Sequence, residues 1–148
     1  MSDERPLAAV VLAAGEGTRM RSATPKVLHP LCGRPMLLHV IDALRALPLE
    51  RVVVVVGHRG DEVAAALADL GSDGAPVVTV EQRERRGTGD AVAAGLTAFD
   101  ELDAEEDIIV MAADAPLVRT ATILELVEEH RALDAAATVL TEIGRAHV

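Results

Sequence analysis

Residues 7–17 have the sequence LAAVVLAAGEG, an apolar run that ends in two glycines. A short run of Ala, Val and Leu that closes on glycine is typical of a buried parallel β-strand followed by a tight loop. The run is far shorter than the roughly 18 apolar residues of a membrane-spanning helix. Asp3 and Glu4 precede it, where a signal peptide carries positive charge. We therefore predict a strand over residues 7–14 and a cytoplasmic protein.

Further apolar runs alternate with amphipathic segments along the rest of the chain. The other predicted strands are residues 51–56, 77–81, 107–111 and 136–141. The predicted helices are residues 36–47, 60–70, 88–99 and 120–133. This order is typical of a mostly parallel sheet with helices on both faces, which predicts an α/β, Rossmann-like fold. In such sheets ligands bind beyond the carboxyl ends of the strands, so we look for a site in the loops that follow them.

Composition excludes several classes of partner. The 148 residues include 14 Lys and Arg against 24 Asp and Glu, which gives a net charge of −10. Nucleic acids and anionic membranes need a basic face, so we expect neither as a partner. Cys32 is the single cysteine, which fits a reducing compartment. Lys26 is the single lysine, and it follows the glycine loop within the sequence PKVLH.

The loop after the first strand has the composition of an anion-binding loop. Gly15 and Gly17 let backbone N–H groups approach a phosphate closely, and Arg19 and Lys26 flank them with positive charge. The loop is not a P-loop, because no Gly-Lys-Ser/Thr follows, and Met20 stands where a dinucleotide fingerprint has its third glycine. Two glycines alone fit a structural turn equally well. Together with two cations they favour a polyphosphate site.

Two later loops carry further candidates. Gln82 offers a donor and an acceptor that match the imide edge of uracil, and Gly87 and Thr88 follow it closely. The alternative is a glycine-rich helix start in which Thr88 is the N-cap. Asp114 follows the fourth strand, where a carboxylate facing a phosphate loop suits Mg²⁺, although a turn residue before a helix is the alternative. His58, after the second strand, is more simply a solvated loop residue than a ligand contact.

Together these motifs resemble the signature of the sugar-nucleotide pyrophosphorylases. The resemblance is carried by residues 12–22 (LAAGEGTRMRS), 25–29 (PKVLH), 33–36 (GRPM), 82–89 (QxxxxGTG) and 112–117 (AADAPL). The PKVLH form, followed by His39, is most similar to the N-terminal domain of the bifunctional bacterial N-acetylglucosamine-1-phosphate uridyltransferases. Asp90 and Ala113 depart from this pattern, which commonly has His and Gly at their positions.

The resemblance implies Mg²⁺-dependent uridylyl transfer from UTP to N-acetylglucosamine 1-phosphate, with UDP-N-acetylglucosamine and pyrophosphate as products. It assigns Arg19 and Lys26 to the triphosphate as catalytic cations and Asp114 to Mg²⁺. It assigns to the nucleotide Leu12, Ala13, Ala14, Gly15, Gly17, Gln82, Gly87, Thr88, Ala112 and Ala113. Two alternatives stay open: another sugar-phosphate or alcohol-phosphate nucleotidyltransferase that uses CTP or GTP, and a non-catalytic nucleotide-binding module.

The resemblance covers residues 7–142, so we expect residues 1–142 to be the nucleotide-binding part of a longer domain, with a sheet that is incomplete on its C-terminal side. Full-length members of the family trimerise through a further acetyltransferase domain, and we expect little transferase activity from this chain alone. Residues 143–148 back-translate to ATC GGA AGA GCA CAC GTC, which matches a common sequencing adapter. They are therefore expected to be a non-native tail, and a natural C-terminus is the alternative.

Overall fold

A computed structural model describes residues 5–15, 21–84, 86–99 and 106–141. Its strands are β1 (Leu7–Ala13), β2 (Pro30–Leu31), β3 (Arg34–Pro35), β4 (Val52–Val56), β5 (Val77–Glu81) and β6 (Asp107–Ala112). Its helices are α1 (Met36–Arg45), α2 (Gly60–Ala68), α3 (Thr88–Leu96) and α4 (Thr120–Ala132), with a 3-10 turn at Lys26–Leu28. The four longer strands form one parallel sheet in the order β5-β4-β1-β6.

Helices cover both faces of this sheet, as the alternation of apolar segments predicts. Ala9 and Val11 of β1 belong to a buried cluster with α1, α2 and α4, whereas Val10 belongs to a second cluster with residues of α3. Successive side chains of a strand point to opposite faces, so β1 contributes to both clusters. All five valines of β4 are buried for the same reason. The predicted α/β, Rossmann-like class is confirmed.

The predicted helices begin at the predicted residues but end one to three residues earlier. After α3 the chain continues with i to i+3 hydrogen bonds, in which Thr97, Ala98 and Phe99 donate to carbonyls three residues before them. Such bonds tighten the last turn, so the apolar periodicity extends past the α-helix itself. The longest described helix, α4, has 13 residues, and none in the described ranges is long and apolar enough to cross a membrane.

A short hairpin between Lys26 and α1 was not predicted. Strands β2 and β3 pair antiparallel around Cys32 and Gly33, whose φ angles of 51° and 80° are those of a tight hairpin turn with two left-handed residues. The ring nitrogen Nε2 of His39 lies 2.9 Å from Leu31 O, which attaches the hairpin to α1. His39 therefore has a structural role.

The predicted last strand, residues 136–141, is wrong. This segment belongs to none of the described strands, and with β6 and α4 it lines a cleft of about 610 Å³. A strand requires a hydrogen-bonded neighbour, and none of the described residues pairs with this one. Val139 and Leu140 are consequently 76% and 56% exposed.

Candidate functional site

The structure brings together two candidates that lie 88 residues apart in the sequence. Lys26 Nζ donates a hydrogen bond to Asp114 Oδ2 at 2.6 Å, in an ion pair whose side chains are 38% and 41% exposed. Asp114 comes two residues after β6, and Lys26 begins the 3-10 turn that precedes the hairpin. A half-exposed pair contributes roughly 1 kcal/mol or less to stability, so a ligand can rearrange it at little cost.

The position of Lys26 is determined by its neighbours. Val27 is 5% exposed and packs in the larger apolar cluster, which anchors the turn to the core. Pro25 O accepts a hydrogen bond of 2.9 Å from the Leu28 N–H and closes the turn. The half-exposed lysine thus lies next to a buried residue in a closed turn, which reduces the conformational freedom that ligand binding must restrict.

Sequence reasoning missed two residues of the loop after β4. Gly57 lies against the loop after β1, because a Cβ atom added to it would stand 2.9 Å from Ala14 O. Arg59 Nη1 donates to Ala23 O, and its Nε donates to Glu62 at 2.7 Å. Arg59 therefore links the segment before Lys26 to α2. The glycine directly after a run of five valines was the available signal, whereas His58, the residue considered there, is exposed.

The loop after β1 is described only in part. Ala14 and Gly15 follow the strand, and a Cβ atom on Gly15 would meet nothing within 4 Å, so its backbone faces open space. The predicted contacts Leu12 and Ala13 are half-buried and buried at the strand's end. Gly17 and Arg19, also predicted for the phosphates, lie outside the described residues.

The predicted base-reading residue, Gln82, is 8% exposed at the end of β5. Its backbone N–H donates to Val56 O at 2.8 Å, which extends the strand pairing by one residue. Its side-chain Nε2 donates to Asp90 Oδ2 at 2.8 Å, with Gly87 O at 3.5 Å. The Gln82 side chain is therefore held against the start of α3.

Gly87, not Thr88, is the N-cap of α3, and no side chain caps the helix. The backbone of Gly87 has φ 101° and ψ −176°, a combination that is essentially restricted to glycine. A Cβ atom there would meet nothing within 4 Å, so the backbone angles and not crowding require glycine. Gly87 and Thr88 are both exposed.

Ala112, the last residue of β6, and Ala113, which follows it, differ in exposure. Ala112 is exposed, whereas Ala113 is fully buried in the larger apolar cluster, with its N–H donating to Leu12 O at 3.0 Å. The methyl group of Ala113, where the resembling pattern commonly has glycine, thus packs in the core and does not project into the site.

The described residues offer few ligands to a metal ion, so an ion bound here would take most of its ligands from the nucleotide and from water. Within the described ranges, no three His, Cys, Asp or Glu side chains are grouped to hold a metal ion. Asp114 offers one half-exposed carboxylate next to Lys26. Mg²⁺ in nucleotide sites is typically held by one or two carboxylates, with phosphate oxygens and water completing its shell. The residues present fit that arrangement.

Gln82 and Asp114 both lie at the carboxyl end of the parallel sheet, where they follow its two outermost strands. Gln82 follows β5 and Asp114 follows β6, so three strand spacings separate them. At about 4.8 Å each, these spacings amount to about 14 Å, which is comparable with the length of an extended nucleoside triphosphate. The loops with Gly15 and Gly57 lie between them. At the carboxyl end of the sheet, the ion pair of Lys26 and Asp114 therefore lies on one side and the buried amide of Gln82 lies on the other.

A family model and curated relatives both match most of this chain. A model described as the MobA-like NTP transferase domain matches residues 9–148. The chain is 50% identical over 135 residues to the bifunctional protein GlmU of Rubrobacter xylanophilus, which corresponds to 91% of this chain and 27% of that protein. It is 50% identical over 143 residues to GlmU of Streptomyces avermitilis, covering 95% of this chain and 28% of the relative. The chain thus spans less than a third of the length of these relatives.

Solved structures of similar fold include a nucleotidyl transferase from Methanothermobacter, with a TM-score of 0.68 and 29% identity over 83% of this chain and 57% of the other. Rv0371c from Mycobacterium tuberculosis has a TM-score of 0.66 and 28% identity, covering 86% of this chain and 61% of that one. A manganese complex of Rv0371c is also similar, with a TM-score of 0.62 and 26% identity over 86% and 60% of the two chains.

Proposed function

The chain belongs to the MobA-like NTP transferase family, and from this premise we propose that it provides the nucleotide site of a uridylyltransferase that acts on N-acetylglucosamine 1-phosphate. The observation that carries the proposal is the contact between Lys26 and Asp114 at 2.6 Å. It supports a single site in which a cation for phosphate and a carboxylate for a metal act together. The identity of 50% to two GlmU proteins, over 91% and 95% of this chain, supports the choice of UTP and of this sugar phosphate.

In the proposed reaction, a phosphate oxygen of N-acetylglucosamine 1-phosphate attacks the α-phosphorus of UTP. The bond from that phosphorus to the bridging oxygen breaks, UDP-N-acetylglucosamine forms and pyrophosphate leaves. The attacking oxygen is already anionic, so no general base is needed, and catalysis consists of positioning and charge neutralisation. Lys26 would neutralise charge on the triphosphate and on the departing pyrophosphate, with Arg19 as a second cation.

Asp114 would hold Mg²⁺, which when bound supplies further positive charge to the phosphates. The backbone of residues 12–15, with Gly17, would approach the nucleotide. Ala112, exposed beside Asp114, completes the proposed nucleotide set. Ala113, the other alanine predicted to contact the nucleotide, is fully buried and supports this strand end from the core instead. Gln82, Gly87 and Thr88 would contact the base, at the other end of the same sheet edge.

We expect UTP to be the preferred nucleotide. The purified chain is titrated with UTP, CTP and GTP in the presence of Mg²⁺, and UTP is expected to bind at least about ten-fold more tightly than the others, because hydrogen-bonding sites reject bases that leave their polar groups unpaired. In parallel, the product of the complete reading frame is incubated with N-acetylglucosamine 1-phosphate and each nucleotide, and pyrophosphate release is measured.

Release with UTP alone supports the proposal. Release with CTP or GTP in place of UTP would identify a different nucleotidyltransferase. Nucleotide binding with no pyrophosphate release under any condition would indicate a non-catalytic binding module.

A further inference from the structure

Where the base is proposed to bind, Gln82 contacts Asp90, and the proposed reaction does not explain this contact. Asp90 lies in the first turn of α3 and accepts the 2.8 Å hydrogen bond from Gln82 Nε2. We propose that Asp90 is a positioning residue for base recognition: it fixes the orientation of the Gln82 amide, so that Oε1 is presented to the imide N–H of uracil. This inference rests on the proposed function, because it concerns how the same site selects its nucleotide.

The chemistry of the two side chains determines the orientation. A side-chain amide has two orientations, which exchange its oxygen and its nitrogen. An ionised carboxylate only accepts hydrogen bonds, so only the nitrogen can face Asp90. Turning the amide over would bring Gln82 Oε1 against Asp90 Oδ2, and two acceptors would then be in contact. Gly87 O, a further acceptor 3.5 Å from the same nitrogen, favours the same orientation.

Burial leaves Gln82 few other positions. The residue is 8% exposed, and the bond from its N–H to Val56 O fixes its main chain at the end of β4. In the part of the chain that the structure describes, no protein donor contacts Gln82 Oε1. This oxygen is not among the fully buried side-chain atoms without a hydrogen-bond partner, so it stays accessible from the site. A ligand N–H that reaches Oε1 would provide the partner.

An amide held in this orientation distinguishes between the two pyrimidines. Uracil has a hydrogen-bond donor at N3, which Oε1 can accept. Cytosine has an acceptor at N3, which would face Oε1 without a proton between them. An amide that is free to turn over can instead present its NH₂ group to cytosine N3. Asp90 therefore contributes to the preference for UTP by excluding the orientation that suits CTP.

A charge effect at the helix N-terminus is the competing explanation, and a matched residue tests it. Asp61 lies in the first turn of α2, so it also places a carboxylate near a helix N-terminus. It is exposed and has no part in the proposed site. Asp61→Ala removes the same charge from the first turn of another helix and leaves the contacts of Gln82 unchanged.

The experiment measures dissociation constants for UTP and CTP, with Mg²⁺, in the wild type and in Asp90→Ala, Asp90→Asn, Asp61→Ala and Gln82→Ala. Asp90→Ala is expected to lower the ratio of UTP to CTP affinity by about ten-fold, since the amide is then free to turn over. Asp90→Asn keeps the shape of the side chain but permits both amide orientations, so the ratio should fall there as well. Asp61→Ala should leave the ratio unchanged.

The outcomes separate the two proposals. If both Asp90 variants keep the wild-type ratio while Gln82→Ala loses it, Gln82 reads the base without help from Asp90 and this inference is wrong. An equal fall in Asp61→Ala and Asp90→Ala would attribute the effect to charge alone and would also overturn it. If the wild type binds UTP and CTP equally, the proposed function fails, and the inference fails with it.

Discussion

Lys26→Ala is expected to weaken UTP binding by about 10- to 100-fold, because hydrogen bonds to charged groups contribute about 1.5–3 kcal/mol. The free energy of unfolding should change by about 1 kcal/mol or less, since the ion pair with Asp114 is half-exposed and such pairs add little stability. Calorimetric titration with UTP and Mg²⁺ gives the first quantity, and urea denaturation gives the second. Lys26 would then be a residue that serves binding and not folding.

Arg34→Ala provides the matched control. Arg34 forms an ion pair of 2.9 Å with Asp42, and its side chain is 45% exposed, so the variant also loses a cation from an exposed pair. Arg34 lies in the hairpin and has no assigned role at the phosphates. UTP affinity should therefore stay close to that of the wild type. Equal loss of affinity in both variants would show that net charge, and not the position of Lys26, determines binding.

Gly95→Ala is expected to destabilise the fold by about 1–3 kcal/mol, because it adds a methyl group where no space exists. A Cβ atom on Gly95 would stand 2.6 Å from Val10 Cγ1 and 2.9 Å from Val55 Cγ2. Both valines are fully buried in β1 and β4, so they cannot move aside, and α3 would have to shift outward. Each kcal/mol should lower the Tm by about 2–4 °C in a chain of this size.

Gly89→Ala makes the same chemical change in the same helix. A Cβ atom on Gly89 would meet nothing within 4 Å, so the variant adds helix propensity without crowding. It is expected to be neutral or stabilising by up to about 1 kcal/mol. Thermal melts followed by circular dichroism compare the two variants. Wild-type stability in Gly95→Ala would contradict the close contact between α3 and the sheet.

The sequence was sufficient to predict the sheet and the candidates Lys26 and Asp114. Short apolar runs and helical periodicity identified the four strands of the sheet and the four helices in the part of the chain that the structure describes, because both patterns depend on neighbouring residues. The carboxyl ends of parallel strands lie at one edge, so candidates in different loops were expected to lie near one another. The contact between Lys26 and Asp114 agrees with that expectation.

Other features depend on contacts between distant segments and could not be predicted. Position 57 needs glycine because a Cβ atom there would crowd Ala14 O. Arg59 donates a hydrogen bond to Ala23 O, in a segment 36 residues earlier. The bond between Gln82 and Asp90 spans only eight residues, but it depends on how the loop between them folds, which the sequence pattern does not show. Residues 136–141 have the composition of a strand, but composition does not reveal whether a neighbouring strand is available to pair with them.

The central claim is that Lys26 and Asp114 serve one magnesium–nucleotide site. It is tested most directly by a double-mutant cycle on UTP binding with Mg²⁺, using Lys26→Ala, Asp114→Asn and the combined variant. If both residues act on the same bound nucleotide, we predict that the combined loss differs from the sum of the single losses by about 0.5–3 kcal/mol. Losses that add to within about 0.3–0.5 kcal/mol, or single variants that bind UTP like the wild type, would contradict it.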